Sequence, residues 1–153
     1  MAVFTRSFDL TASLEEVWKF HSDPAALARI TPKPLKVAVQ ICDYPVTEGS
    51  RVNLRLSVGP IGVRWNSVIT EVKLMEHFSD AQVPNQGPFK RWKHTHSFTP
   101  IDGGTRVTDH VEYEMPLGAL GRIADVIGGR FMIASMFNAR SRATRILLER
   151  GSA

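Results

Sequence analysis

Two histidines one residue apart, His94 and His96, stand in the run Trp92-Lys93-His94-Thr95-His96-Ser97-Phe98. Imidazole titrates near neutrality, and beside a carboxylate it serves as a general base. Asp109 supplies a carboxylate in the next run of the chain. Tyr113 supplies a phenol able to donate to an oxyanion or enolate. His96, Asp109 and Tyr113 therefore form a candidate catalytic set for cyclisation, dehydration or proton abstraction beside a carbonyl. Two imidazoles about 7 Å apart on one strand face also chelate zinc in some enzymes. Asp80 or Asp109 would then add a third ligand. His-x-His alone is a weak signal, and no metal or other cofactor is expected. A nucleophile triad is not supported, because the chain has no Gly-x-Ser-x-Gly. Its one cysteine, Cys42, lies in a different run and has no partner for an internal disulfide. Gly118-x-x-Gly121 lacks the Lys and Ser/Thr of a phosphate loop.

These groups act together only if the chain brings them to one face. Val3 to Leu10 alternates Phe4, Arg6, Phe8 and Leu10, a strand period. Ser13 with Glu16 forms a capping-box pattern before a helix through Leu14, Val17, Trp18 and His21. Asp23-Pro24 opens a second short helix, Ala25 to Ile30, which Thr31-Pro32-Lys33-Pro34 ends. Strand-like runs follow over Leu35–Cys42, Ser50–Val58, Ile61–Leu74, Glu76–Val83, Phe89–Ile101 and Thr105–Met115. Leu117 to Arg150 has helical period through Leu120, Ile123, Ile127, Phe131, Ala134, Phe137 and Ile146. Gly128-Gly129 is the point where this helix would bend. Short turns between consecutive strands predict an antiparallel sheet, and a long amphipathic helix must cover it.

Alternation then sorts the side chains. Trp92, His94, His96 and Phe98 share one face, and so do Asp109, Val111 and Tyr113. Phe78, Asp80 and Gln82 share another. If Ile101 pairs with Gly104 across the Asp102-Gly103 turn, His96 faces Asp109, His94 faces Val111 and Trp92 faces Tyr113. Across Pro84–Pro88, the expected register puts Asp80 beside Trp92 and Phe78 beside His94. Six polar groups then project under the long helix: Asp80, Gln82, His94, His96, Asp109 and Tyr113. Each would cost roughly 1–3 kcal/mol if left unsatisfied. Polar groups on three successive strands favour a pocket over a plain core, although an internally bonded network remains the alternative.

Several local motifs extend this pattern: Thr31-Pro32, Trp65, Phe78-Ser79-Asp80-Ala81-Gln82, Gly87-Pro88-Phe89, Gly104-Thr105 and Pro116-Leu117-Gly118. With Trp92–Phe98, Asp109 and Tyr113, they resemble the START-like helix-grip (SRPBCC) superfamily, in a bacterial branch described as ligand-binding or cyclase/dehydrase-like. The resemblance spans nearly the whole chain. It implies one α+β domain over 1–153: a curved antiparallel sheet of about seven strands around a long C-terminal helix, with two short helices after the first strand. It does not specify a reaction, because the fold hosts carriers, receptors, cyclases and dehydratases.

The leading expectation is a binding protein for a small hydrophobic or amphipathic molecule, lipid-like or polyketide-like. Trp65, Phe78, Trp92, Phe98, Ile127 and Phe131 would hold its apolar body, together with Ile123 and Ala134. Asp80, Gln82, His94, His96, Asp109 and Tyr113 would orient its polar end. The alternatives are a cyclase or dehydratase using His96 and Asp109, and an RNA- or partner-binding module on the arginine-rich C-terminal helix. Hydrophobic residues make up 43% and charged residues 22% of the chain, which excludes wholesale disorder. The net charge of +4 is modest, so nucleic acid is not the expected partner and a solvated helix face is the simpler reading. No apolar run reaches a membrane span, and the first residues lack a signal-peptide pattern, so a cytoplasmic monomer or homodimer is expected.

Overall fold

The structure, a computed structural model, describes residues 1–150. Strand β1 (Ala2–Leu10) leads into α1 (Leu14–His21) and α2 (Ala25–Ile30). Six strands follow: β2 (Lys36–Cys42), β3 (Arg51–Val58), β4 (Ile61–Lys73), β5 (His77–Gln82), β6 (Arg91–Ile101) and β7 (Gly104–Glu114). The chain ends in α3 (Gly118–Ala124), a π-helical turn (Asp125–Gly129) and α4 (Arg130–Arg150). The strands form one antiparallel sheet in the order β1-β7-β6-β5-β4-β3-β2. This is the expected helix-grip arrangement.

Local chemistry explains the element ends. The Ser13 hydroxyl accepts from the Glu16 amide while the Glu16 carboxylate accepts from the Ser13 amide, so the capping box forms. Gly103 turns β6 into β7 at φ +76°, a conformation few other residues accept. Register shifts at Val39/Ile41 and Ile69/Glu71 bend the sheet. At Gly128-Gly129 the helical path passes through a π-helical turn, Asp125–Gly129, between α3 and α4.

The core is split in two. One cluster joins α1 to the sheet through Val17, Trp18, Phe78, Phe98 and Val107. The other joins α4 to it through Trp92, Val111, Tyr113, Ile133 and Phe137. Along β6 and β7, His94, His96 and Asp109 fall between these clusters, so a polar belt crosses the sheet interior.

The inner face of the C-terminal helices differs from the expectation. Ile123, Ile127 and Phe131 are exposed, at 56%, 80% and 79%. From Gly121 to Phe137 the buried positions are Gly121, Asp125, Gly129, Ile133 and Phe137, one every fourth residue. A side chain at Gly121 would meet the Pro116 carbonyl at 1.9 Å, so the backbone approaches too closely for an apolar residue there. Replacing Ile133 by Ala should cost about 2–5 kcal/mol, while Ile127→Ala should change stability by less than about 0.5 kcal/mol. Urea unfolding of the two variants checks which face packs.

Candidate functional site

The belt is built from two neighbouring rows across the sheet. Arg6 of β1 pairs with Asp109 of β7, Asp109 with His96 of β6, and His96 with Phe78 of β5. In the next row Val111 pairs with His94, and His94 with Asp80. The β6–β7 register is therefore the expected one. The β5–β6 register is offset by two residues from the expectation, because the connecting loop runs on to Lys90 rather than ending at Pro88. An even offset keeps every side chain on its face.

Asp109 lies at the centre. His94 Nε2 donates to Asp109 Oδ1 at 3.0 Å. His96 Nδ1 lies 2.9 Å from the same oxygen but off the line of its ring N–H, and it makes no hydrogen bond. Burial acts to raise the Asp109 pKa, but the two imidazoles outweigh it and hold the carboxyl well below the usual range. His96 is pushed down, first by burial and then by its neighbour His94. The two rings stand 3.9 Å apart, and Phe137 of α4 closes edge-on over His94 at 5.2 Å.

His94 presents its other nitrogen to Asp80, with Nδ1 3.9 Å from Oδ1. Burial raises the Asp80 pKa to about 6, against the attraction of His96 and Arg140. Arg140 reaches in from α4, and burial lowers its pKa to about 10. Its Nε is buried without a partner, as is Nε of Arg6, whose Nη1 donates to Asn138. His21 comes from the end of α1. It is pushed down to about 4, chiefly by burial and then by His96, while its Nδ1 donates to the Val17 carbonyl at 2.8 Å.

These groups face a cavity of about 150 Å³ between the sheet, α2 and α4. Its polar wall includes Asp80, His94, His96, Asp109, His21 and Arg140. Its apolar wall includes Leu54, Leu56, Trp65 and Ile69 from the sheet, and Leu27 and Ile30 from α2. Phe78, Trp92 and Phe137 complete it. Asp80, His94 and His96 each offer a ligand atom, all within 4.8 Å of one another, and they are the residues able to hold a metal ion. Asp109 would orient His94 for that role, whereas the positive charge of Arg140 opposes a second cation.

Seven of the expected site residues thus line the cavity: Trp65, Phe78, Asp80, Trp92, His94, His96 and Asp109. Five lie elsewhere. Gln82 bridges the Phe89 backbone, donating to its carbonyl at 2.6 Å and accepting from its amide at 3.2 Å, so it fastens the β5–β6 loop. The Tyr113 hydroxyl donates to Asp125 Oδ1 at 2.7 Å. Burial, and then this bond, raise its pKa above the usual range, and it serves the helix rather than the cavity. Phe98 packs against Trp18 at 5.5 Å. Ile127 and Phe131 point outward, because Gly121, Asp125 and Gly129 form the buried side of their segment.

Sequence reasoning missed Arg6, His21 and Arg140. Each had a signal. Arg6 alternates with Phe4 and Phe8 on an apolar face, His21 follows Val17 by four residues, and Arg140 follows Phe137 by three. The arginines of the long helix do not form one exposed basic face. Arg140 turns into the cavity, Arg130 pairs with Asp125 at 3.0 Å, and Arg145 reaches the Asp9 carbonyl.

The sequence matches the family described as polyketide cyclase/dehydrase and lipid transport over residues 10–131. The chain belongs to that family. No curated protein matches the sequence. Among solved structures, protein CV1439 from Chromobacterium violaceum superposes with a TM-score of 0.76 at 15% identity, covering 97% of this chain and 99% of that one. Ms6760 from Mycobacterium smegmatis gives 0.71 at 22% identity, covering 97% and 92%. The Zhui aromatase/cyclase from Streptomyces sp. R1128 gives 0.66 at 15% identity, covering 95% of each chain. At these identities the likeness shows the shared helix-grip fold of the polyketide cyclase/dehydrase family and not a shared reaction. Among the described residues no helix is long and apolar enough to cross a membrane.

The displaced pKa values of Asp80 and His21 make opposite contributions to stability as pH falls. Native Asp80 takes up its proton near pH 6, but the unfolded chain does so only near 3.8, so this group favours the native state increasingly as pH falls through that window. Native His21 refuses a proton until about pH 4, while the unfolded chain binds one near 6.5, so it disfavours the native state as pH falls. Asp80→Asn should therefore raise stability at about pH 8 by on the order of 1–3 kcal/mol, with the gain fading toward about pH 4. Denaturant titrations across that range check both the sign and the fading.

Proposed function

We propose that this chain binds a small hydrophobic or amphipathic molecule, lipid-like or polyketide-like, in the cavity under α4. One observation carries the reading: a single space has a largely apolar wall and an opposite wall with a buried donor left unpaired. Buried polar groups are ordinarily bonded. Arg140 Nε is not. A ligand oxygen would satisfy it, while Leu54, Leu56, Trp65 and Ile69 take up the carbon skeleton. A cavity of about 150 Å³ has room for one enclosed ring of benzene size or a short chain segment, with the rest of a longer ligand extending outward. The family's description, which includes lipid transport, and the aromatase/cyclase among the structural neighbours support this class of ligand.

A second reading has its own observation. The bond to Asp109 keeps the proton on His94 Nε2, which leaves Nδ1 as a base at the cavity wall. Asp80, raised to about 6, stands beside it as an acid. An imidazole nitrogen beside an acid whose pKa burial has raised suits proton removal beside a carbonyl and protonation of a departing hydroxyl. In this form the cyclase/dehydratase reading uses His94 with Asp80, and His96 in support, rather than Tyr113, whose hydroxyl is engaged with Asp125.

Native mass spectrometry of the purified protein tests occupancy directly, and a stoichiometric organic adduct is expected. With the adduct's molecule in hand, Arg140→Gln should weaken binding about tenfold or more, as loss of a charged hydrogen bond does. Phe131→Ala should leave it unchanged. His94→Gln separates the readings. Lost turnover with binding retained identifies chemistry, and equal loss of both identifies binding alone. An apolar molecule that binds equally well to wild type and Arg140→Gln would sink the proposed polar anchor.

A further inference from the structure

From Leu117 to Met132 the C-terminal segment is inverted relative to an ordinary surface helix. Its buried side consists of Gly121, Asp125 and Gly129. Its outward side carries Leu120, Ile123, Val126, Ile127, Phe131 and Met132, each between 56% and 80% exposed. Leu120, Ile123, Ile127 and Phe131 follow spacings of three, four and four, so they share one helix face. Scattered exposed apolar residues are common, but a continuous stripe of large ones marks a contact surface.

Charge identifies the partner. Between Pro116 and Leu148 the one carboxylate is Asp125, and it is buried between Tyr113 and Arg130. Arg122 is exposed within the apolar stripe, while the Arg130 guanidinium is already paired with Asp125. A second copy of this chain, meeting the stripe about a two-fold axis, would set Arg122 against itself, with no exposed carboxylate of this segment to answer it. An anionic bilayer complements both features: its acyl region accepts the apolar face and its headgroups accept Arg122.

We propose that the Leu117–Met132 face docks on anionic membrane surfaces, lying in the interface without crossing it. The proposal goes beyond ligand binding and does not depend on it, because the face points away from the cavity and its test needs no cavity ligand. Asp125 is the structural device that allows it. By bonding Tyr113 and Arg130, it anchors a helix whose inner side has almost no apolar surface of its own.

The test is co-sedimentation with vesicles of phosphatidylcholine and phosphatidylglycerol in equal parts, with pure phosphatidylcholine vesicles alongside. Binding to the anionic vesicles is expected, weaker at high salt because exposed charges are screened. Ile127→Gln combined with Phe131→Gln should lower the partition by about tenfold or more, since each removes a large apolar group from the contact. Both positions are exposed, so circular dichroism and the melting temperature should stay at wild-type values. Arg122→Gln should weaken anionic binding alone. His96→Gln, a change inside the cavity, should retain vesicle binding even where it abolishes ligand binding. No sedimentation with anionic vesicles, or no effect of the double variant, would overturn the proposal. Equal binding to pure phosphatidylcholine would overturn the anionic assignment. A dimer in analytical ultracentrifugation that the double variant dissolves would assign the face to a second copy instead.

Discussion

The interior of this protein is organised around one buried carboxylate. An ionised Asp109 removed from water would be very costly without partners. His94 and His96 on β6 supply the compensating groups, and Arg6 lies opposite on β1. That requirement ties three strands together at one height. It also divides the core, with Trp18, Phe78 and Phe98 packing on one side of the belt and Trp92, Val111 and Phe137 on the other. An apolar belt would have packed the interior more simply. The polar one holds a cavity open, because charged and hydrogen-bonded groups cannot collapse onto each other as methyl groups do.

The belt also sets its own two carboxylates, Asp109 and Asp80, apart. Asp109 has two imidazoles on one oxygen and stays ionised. Asp80 stands 3.9 Å from the nearer imidazole nitrogen, too far for a hydrogen bond, so burial outweighs the attraction of His96 and its acidity falls toward neutrality. The same residue type therefore plays two parts. One carboxylate fixes the tautomer of His94, and the other exchanges protons within the ordinary pH range. Arg140, arriving from the helix, lets the cavity accept negative charge without a metal ion.

Much of this was legible in the sequence, for identifiable reasons. The Asp102-Gly103 turn is so short that it dictates the pairing of His96 with Asp109 and Trp92 with Tyr113. The loop before β6 is longer and its length is ambiguous, so the β5 register was misplaced by two residues while the faces stayed correct. The orientation of the C-terminal helix was not legible by hydrophobicity, which assumes that a helix buries its apolar stripe. Here Gly121 permits a close approach to Pro116 and Met115, and contact distance overrides hydrophobicity. Asp125 looked like an interruption in an apolar run. Its role depends on Tyr113, which lies in a different element and reaches it only in the folded chain.

The same helix connects the cavity to the outer surface. Phe137 and Arg140 form part of the cavity wall, and the π-helical turn at Asp125–Gly129 precedes them on the same continuous helical path. Gly128-Gly129 brings no side chains to pack this stretch, so it is held by Asp125 instead, bonded by Tyr113 from the sheet and by Arg130 from the helix. That anchor replaces the apolar inner face an ordinary surface helix would use. It leaves Ile123, Ile127 and Phe131 outward while Phe137, further along the same path, closes over His94.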